Sequence, residues 1–368
     1  MPLRSHWRAV LWLAPLALLL SACGAASATA KTASAPAPAL FVSLGLPANG
    51  SPGTSPVTFS LSEPVGTHFD PPRFDPSTPG TWTVSKTRTV LTFHPTGAWA
   101  PGQTVAVTVP TSLTAADGAR PLAPVSGEFS VGYQGTTARL QQLLADLGYL
   151  PVVFHPTQAT PANVTAQDRA VFDPPSGSFS WRWPGAMTGL ESLWKPDHFG
   201  VITKGAVMQF QRVNGLTPDG LISPMLWHDL IQDRLAGKQD PDGYTWADVT
   251  ESPLPEMLTL WHNGQIILTT KVNTGIAGER TALGSFDVYL RRKFQIMSGT
   301  NPNGSHYAVP VHWISYFHGS DALHGYLRAA YGFPQSLGCV EMPIPTAAKV
   351  WPYTHIGTVV TVQPTASS

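Results

Sequence analysis

Ala322-Leu323-His324-Gly325, followed after ten intervening residues by Ser336-Leu337-Gly338-Cys339-Val340-Glu341-Met342, is the stretch on which the reading of this 368-residue chain turns. It lies in a C-terminal third where apolar runs recur at Met257–Trp261, Gln265–Thr270, Phe286–Arg291 and Thr358–Val362. Runs of that length and composition predict strands, so a β-rich domain is expected over residues 250–364, and it is expected to carry the chemistry.

The chain has two cysteines, Cys23 near its start and Cys339 here. Taken alone, a free cysteine is more often a small buried hydrophobe than a nucleophile. The pairing with His324-Gly325 reverses that balance. A thiolate is a good nucleophile toward an amide carbonyl, and a neighbouring imidazole can take the thiol proton. The carbonyl of Gly325 can accept from one ring nitrogen and leave the other facing the thiol. Gly338 permits a close turn before the nucleophile, and backbone N–H groups around Gly338 and Cys339 can stabilise an oxyanion. The candidate catalytic residues are therefore Cys339, His324, Gly325 and Gly338. Ser336 reads as a turn former beside the site rather than a nucleophile. Trp313, Tyr316 and Tyr331 either line a substrate cleft or fill the core. Ser336, Trp313 and Tyr316 are retained as candidate substrate contacts.

His306, His312, His318 and His324 recur every six residues, which on one continuous strand would share a face and suggest zinc. Pro310 and Gly319 interrupt that spacing, and no His-x-x-x-His pair or paired carboxylates accompany it. No metal and no cofactor is expected.

Working toward the N-terminus, a polar linker over Ala236–Asp242 precedes the β-rich third. Leu140, Leu143, Leu144 and Leu147 fall at helical spacing and stop at Gly148. A second helix is predicted from about Lys204 to Val213. Ser223 then caps a third, with Pro224 at its first position. An aromatic-rich insertion over 152–200 contains Trp181, Trp183 and Trp194, read as core ahead of a glycan-stacking platform. Between Phe41 and Val131, short alternating segments such as Val57–Leu61, Val90–Phe93 and Thr104–Val109 are bounded by Pro, Gly or Asp turns, which predicts an Ig-like β-sandwich. The fold class is thus multidomain and mainly β, with one small helical module.

Gly24 to Leu40 is almost all Ala, Ser, Thr, Pro and Gly, a tether that buries too little apolar surface to fold. Ahead of it, Arg4 and Arg8 precede an apolar run over Ala9–Leu20, too short to span a bilayer and typical of a secretory signal. Lysine plus arginine and aspartate plus glutamate stand at 22 each, so charge offers no hint of nucleic-acid binding.

Several of these segments resemble known families. Leu20-Ser21-Ala22-Cys23-Gly24 resembles the lipobox of bacterial lipoproteins, which implies a signal peptide over 1–23, a diacylglycerol on Cys23 and a membrane anchor; the alternative is an ordinary signal peptide that happens to contain a cysteine. Lipidation would leave Cys339 as the sole free thiol. Residues 41–132 resemble the Ig-like spacer domains of bacterial surface proteins. Leu140-Gln141-Gln142-Leu143-Leu144-Ala145-Asp146-Leu147-Gly148-Tyr149-Leu150 and the run from Ala206 to Ile222 resemble a three-helix peptidoglycan-binding domain over 136–235.

The segment from 250 to 364 resembles the L,D-transpeptidase (YkuD) catalytic domain. The matching residues are His324-Gly325 and Ser336-x-Gly338-Cys339, together with Thr274-Gly275, Thr281 to Phe286, Val309-Pro310 and Tyr316-Phe317. That resemblance implies a cysteine that attacks a stem-peptide carbonyl, releases a terminal D-alanine and passes the acyl group to an amine on a neighbouring stem. In its terms Cys339 is the nucleophile, His324 the base and Gly325 the orienting carbonyl. Leu337 stands where the family often has His, and Glu341 where it often has Arg or Asn. A carboxylate there raises the thiol pKa unless it faces a cationic substrate group, such as the acceptor ammonium, or simply points away.

The partners implied are peptidoglycan stem peptides, with or without glycan, and the membrane through Cys23. The location implied is the outer face of the bacterial cytoplasmic membrane, reaching into the wall. Water or a protein amine as acceptor would make the same thioester that of a carboxypeptidase or a protein-to-wall ligase. A non-catalytic wall-binding lipoprotein is the non-enzyme alternative.

Overall fold

The computed structural model describes residues 38–365. The signal segment, Cys23 and nearly all of the Gly24–Leu40 tether lie outside the described residues.

The first strands obey a period of two. β1 (Val42–Gly45), β2 (Val57–Leu61), β3 (Arg73–Asp75), β4 (Gly80–Val84), β5 (Val90–Pro95), β6 (Thr104–Val109) and β7 (Val125–Ser130) form two antiparallel sheets, ordered β1-β2-β5-β4 and β3-β6-β7. Val57, Phe59 and Leu61 of β2 and Val105, Val107 and Val109 of β6 are all buried in one core between the sheets. Trp99 closes it, its indole N–H donating to the Pro76 carbonyl at 2.9 Å.

The helical segment follows. α1 (Thr137–Asp146) is capped by Thr136, whose hydroxyl accepts from Arg139 N at 3.2 Å. The insertion supplies β8 (Val152–Pro156), α2 (Val164–Phe172), β9 (Gly177–Trp181) and the short α3 (Thr188–Glu191), with β8 and β9 paired antiparallel. Trp194 is buried, and Trp181 and Trp183 pack on the same core, as the packing reading of those indoles requires. α4 (Val201–Val213) begins three residues before Lys204, because Gly200 in extended conformation serves as its N-cap. α5 (Pro224–Leu235) starts as expected, Ser223 Oγ accepting from Leu226 N at 3.1 Å.

The last third is built around β10 (Thr245–Ser252), a strand the apolar pattern does not announce. It runs antiparallel to β11 (Met257–His262), which pairs in turn with β12 (Gln265–Lys271). The run expected as one strand over Phe286–Arg291 is two. β13 (Gly284–Asp287) joins the first sheet, and β14 (Leu290–Thr300) opens a second with β15 (His306–His318), β16 (Asp321–Gly325) and β17 (Val340–Met342). Val288 and Tyr289 make the crossing, their N–H groups donating to Thr358 and Tyr316 carbonyls. α6 (Ile344–Val350) packs on β15 and β16, and β18 (Val359–Thr365) returns parallel to β10. The sheets are ordered β12-β11-β10-β18-β13 and β14-β15-β16-β17. Val249, Leu260, Leu323, Val340 and Val360 share one buried core.

Pro310 does not interrupt β15. It pairs with Ile296 of β14, and β16 covers the other edge only from His312 onward, so the missing N–H costs no ladder bond there. The alternation breaks instead at Trp313, whose φ of 58° lies in the left-handed region, where the β15–β16 register shifts.

Candidate active site

β16 and β17 are adjacent and parallel, with Leu323 opposite Val340, His324 opposite Glu341 and Gly325 opposite Met342. Because side chains alternate, Leu323, Val340 and Met342 turn into the core while Ala322, His324, Cys339 and Glu341 share the other face. That face floors a cavity of about 290 Å³ containing His324, Cys339, Glu341 and Arg328, walled by Met297 and Tyr307 of the long β14–β15 hairpin.

The thiol end is fixed by tight local packing. Gly338 has φ of 109°, and a Cβ there would lie 2.5 Å from Asp321 Oδ1. Asp321 is itself held by Ala282 N, which donates to Oδ2 at 3.0 Å. Ser336 is buried and its hydroxyl donates to the Cys339 carbonyl at 2.5 Å. Thr274 carbonyl accepts from Ser336 N at 3.0 Å, and Asn273 and Glu341 exchange backbone bonds of 2.9 Å. Thr274 is anchored by buried Glu256, which accepts from its N–H at 2.6 Å and its hydroxyl at 2.7 Å. Among the described residues neither the Gly338 nor the Cys339 N–H has a protein acceptor, the condition for donors that must meet an oxyanion.

Burial disfavours the charged form of both Cys339 and His324. Burial pushes the Cys339 thiol up to about 12, with Asp321 and Glu341 adding to it and the Ala322 backbone opposing. The thiol donates to the Ser320 carbonyl at 3.6 Å. Burial also lowers the His324 pKa, while Glu341 and the Gly325 backbone pull it upward. Nδ1 of His324 is buried without a hydrogen-bond partner, so the Gly325 backbone acts on the ring electrostatically and not through a bond of good geometry. Gly325 has a second reason to lack a side chain: a Cβ would lie 2.9 Å from Ile344 Cα and 3.0 Å from Ala347 Cβ of α6.

Glu341 neither points away nor stands free. Arg328 grips it with Nε to Oε2 and Nη2 to Oε1, both 2.8 Å, and Nη2 also donates to the Gln335 carbonyl at 3.1 Å. The guanidinium lies 4.8 Å over the Tyr326 ring. Tyr331 braces the loop, donating to the Tyr326 carbonyl at 2.6 Å and accepting from Arg328 N at 3.1 Å. Arg328 and Asp321 are the residues that sequence reasoning missed. A buried acid in place of the family's Arg or Asn was the available signal that a cation must come from elsewhere.

The candidate substrate contacts do not reach the cavity. Trp313 packs toward the core on the other side, its ring 5.5 Å from that of Trp351, because its left-handed backbone turns it out of the alternation. Tyr316 is buried against Cys339 from behind, its hydroxyl donating to Gln295 Oε1 at 3.1 Å. Ser336 is used up in holding the Cys339 carbonyl. Of the evenly spaced histidines, His306 and His318 are exposed and only His324 enters the cavity. Among the described residues no three His, Cys, Asp or Glu side chains approach closely enough to hold a metal.

Fold and cavity together define a multidomain, mainly β protein whose C-terminal sheets bring a cysteine and a histidine to one cavity floor. Residues 244–362 match the family model of the L,D-transpeptidase catalytic domain, YkuD, and residues 190–228 match that of a putative peptidoglycan binding domain. No curated protein matches the chain. Among solved structures, an L,D-transpeptidase from Mycobacterium smegmatis is similar at 11% identity over 88% of this chain and 99% of that one, with a TM-score of 0.30. L,D-transpeptidase 3 from Mycobacterium tuberculosis is similar at 14% identity over 88% and 98%, TM-score 0.29. The catalytic domain of the E. faecium L,D-transpeptidase is similar at 22% identity over 32% of this chain and 96% of that one, TM-score 0.30.

Proposed function

We propose that the protein is a peptidoglycan L,D-transpeptidase working through a Cys339 thioester. The observation that carries this reading is the placement of Cys339 and His324 on one face of adjacent parallel strands, at the floor of one cavity, within the segment matched to that catalytic domain. His324 takes the thiol proton as sulfur attacks the stem-peptide carbonyl, and the Gly338 and Cys339 N–H groups receive the oxyanion. Collapse expels the terminal D-alanine amine, which leaves with the proton from His324. The amine of a second stem then attacks the thioester, giving its proton to His324, and the thiol is regenerated. This sequence begins from a neutral pair, in keeping with the raised thiol and lowered imidazole pKa.

The remaining parts fit the same reading. Residues 1–23 with Cys23 form a lipoprotein signal and anchor, 24–40 a tether, 41–132 an Ig-like spacer and 136–235 a wall-binding module, and 250–364 the catalytic domain lifted from the outer membrane face toward the wall. Incubating the full chain in detergent with a tetrapeptide-stem muropeptide and following products by mass spectrometry tests the proposal. A cross-linked dimer made by the parent and not by Cys339→Ala supports it. A shortened monomer alone assigns carboxypeptidase chemistry, and no Cys339-dependent product sinks the enzyme reading. A carbapenem should add its mass to Cys339, and His324→Ala should slow that acylation by about 10²-fold or more.

A further inference from the structure

Arg328 is the one cation among the residues lining the cavity, and its donors are unevenly spent. Of five N–H donors on a guanidinium, Nε and one or both on Nη2 go to Glu341 and the Gln335 carbonyl, whereas Nη1 has no protein acceptor among the described residues. Arg328 is not among the buried groups left without a partner, and its side chain keeps 30% of its surface exposed, against 7% for Glu341. Glu341 thus fixes the fork from behind, Tyr326 packs on its face, and the remaining edge is open to a ligand.

We propose that Arg328, held in place by Glu341, receives the α-carboxylate of the acyl donor's terminal residue, the residue that departs when the thioester forms. The inference rests on the reading above and adds the group that defines the donor. The shared cavity agrees with it. Cys339, Glu341 and Arg328 line the same cavity, with the guanidinium 2.8 Å from the Glu341 carboxylate. A terminal residue carries its carboxylate about 3.5 Å past the scissile carbonyl. A donor whose carbonyl meets the thiol therefore carries that carboxylate within the cavity that Arg328 also lines, where a guanidinium is the group suited to a charge-assisted bond. Of the other cavity-lining groups only His324 can become a cation, and burial lowers its pKa. The pair also shows how a buried acid is held two residues from the thiol: Arg328 pairs with it at 2.8 Å, while Glu341 still raises the thiol pKa.

Binding to a thiol-less chain separates this from turnover. Full-length Cys339→Ala should bind a tetrapeptide stem with a free C-terminal carboxylate roughly tenfold to hundredfold more tightly than the same peptide with a C-terminal carboxamide, measured by calorimetry. Adding Arg328→Met together with Glu341→Gln, which removes the pair without leaving a bare carboxylate, should bring that ratio to about one. A ratio that survives the double change, or a parent that shows no preference, overturns the proposal. Equal loss of affinity for acid and amide overturns it too, since Arg328 then reads another carboxylate of the stem. A circular-dichroism spectrum and denaturant midpoint close to those of the parent show that Arg328→Met/Glu341→Gln keeps its fold. Failure of the parent chain to turn over the muropeptide counts against the L,D-transpeptidase reading and leaves the acid-to-amide ratio as an independent result.

Discussion

At the scale of single residues, the candidate site pairs a buried histidine with a half-buried cysteine. A free cysteine has a pKa near 8.5, whereas burial lifts that of Cys339 to about 12. Iodoacetamide should therefore label Cys339 at pH 7 roughly tenfold or more slowly than a free thiol, with a rate still climbing above pH 9. A rate that levels off below pH 7 would mean a preformed thiolate–imidazolium pair instead. Gly338 bears the geometry. Gly338→Ala must place a Cβ against Asp321 and hold a left-handed backbone, a strain of about 1–3 kcal/mol. Carbapenem acylation of Cys339 should fall by about tenfold or more in that variant. That Cys339 and His324 belong together was legible in the sequence from their types and spacing, and the structure places both at one cavity. Arg328 and Asp321 were not, since they sit in a loop and at a strand start, and their partners lie across the sheet.

At the scale of elements, sequence periodicity found the strands that alternate and lost those that serve two neighbours. β10 carries Asp248 and Glu251 and so breaks an apolar pattern, yet it is central, and Asp248 is satisfied by Gln363 Nε2 at 2.8 Å from β18. The run through Phe286–Arg291 looked continuous because nothing local marks where a chain changes sheets. Asp287, at the end of β13, is the cost of that crossing: it is buried, Oδ1 has no partner, and its pKa rises to about 7 by burial against a partial counteraction from Lys204. The folded state thus holds the proton more tightly than the unfolded chain, whose value is near 3.9. Stability from this group is complete below that pH and is lost as pH rises toward 7. Asp287→Asn should therefore gain over the parent on the order of 2 kcal/mol more at pH 8 than at pH 5, read from denaturant melts. An equal effect at both pH values would show that Asp287 does not titrate there.

At the scale of the whole molecule, the helical segment and the catalytic sheets share one core. Tyr244, Trp246 and Val359 are buried among Leu144, Phe210 and Ile231. α4 meets the loop before β18 so closely that a Cβ on Gly205 would lie 2.4 Å from the Gly357 carbonyl. A fragment of residues 244–368 alone uncovers those side chains, each worth about 1.5–3 kcal/mol when buried. It should melt well below the full chain, by a difference on the order of 3 kcal/mol or more in stability. Equal melting would mean that the catalytic sheets are self-sufficient.

Local chemistry and periodicity decided what the sequence alone can specify here: the sandwich strands, the capped helices, the lone described thiol with its histidine, and the glycine beside each. These are set by neighbours a few residues apart, where side-chain type and backbone preference act directly. Tertiary structure alone decided the rest. The parallel register that puts Cys339 and His324 on one face, the removal of Trp313, Tyr316 and Ser336 from the cavity, and the pairing of Glu341 with Arg328 all depend on segments distant in sequence. Only their packing fixes which charge meets which and how much water each site keeps.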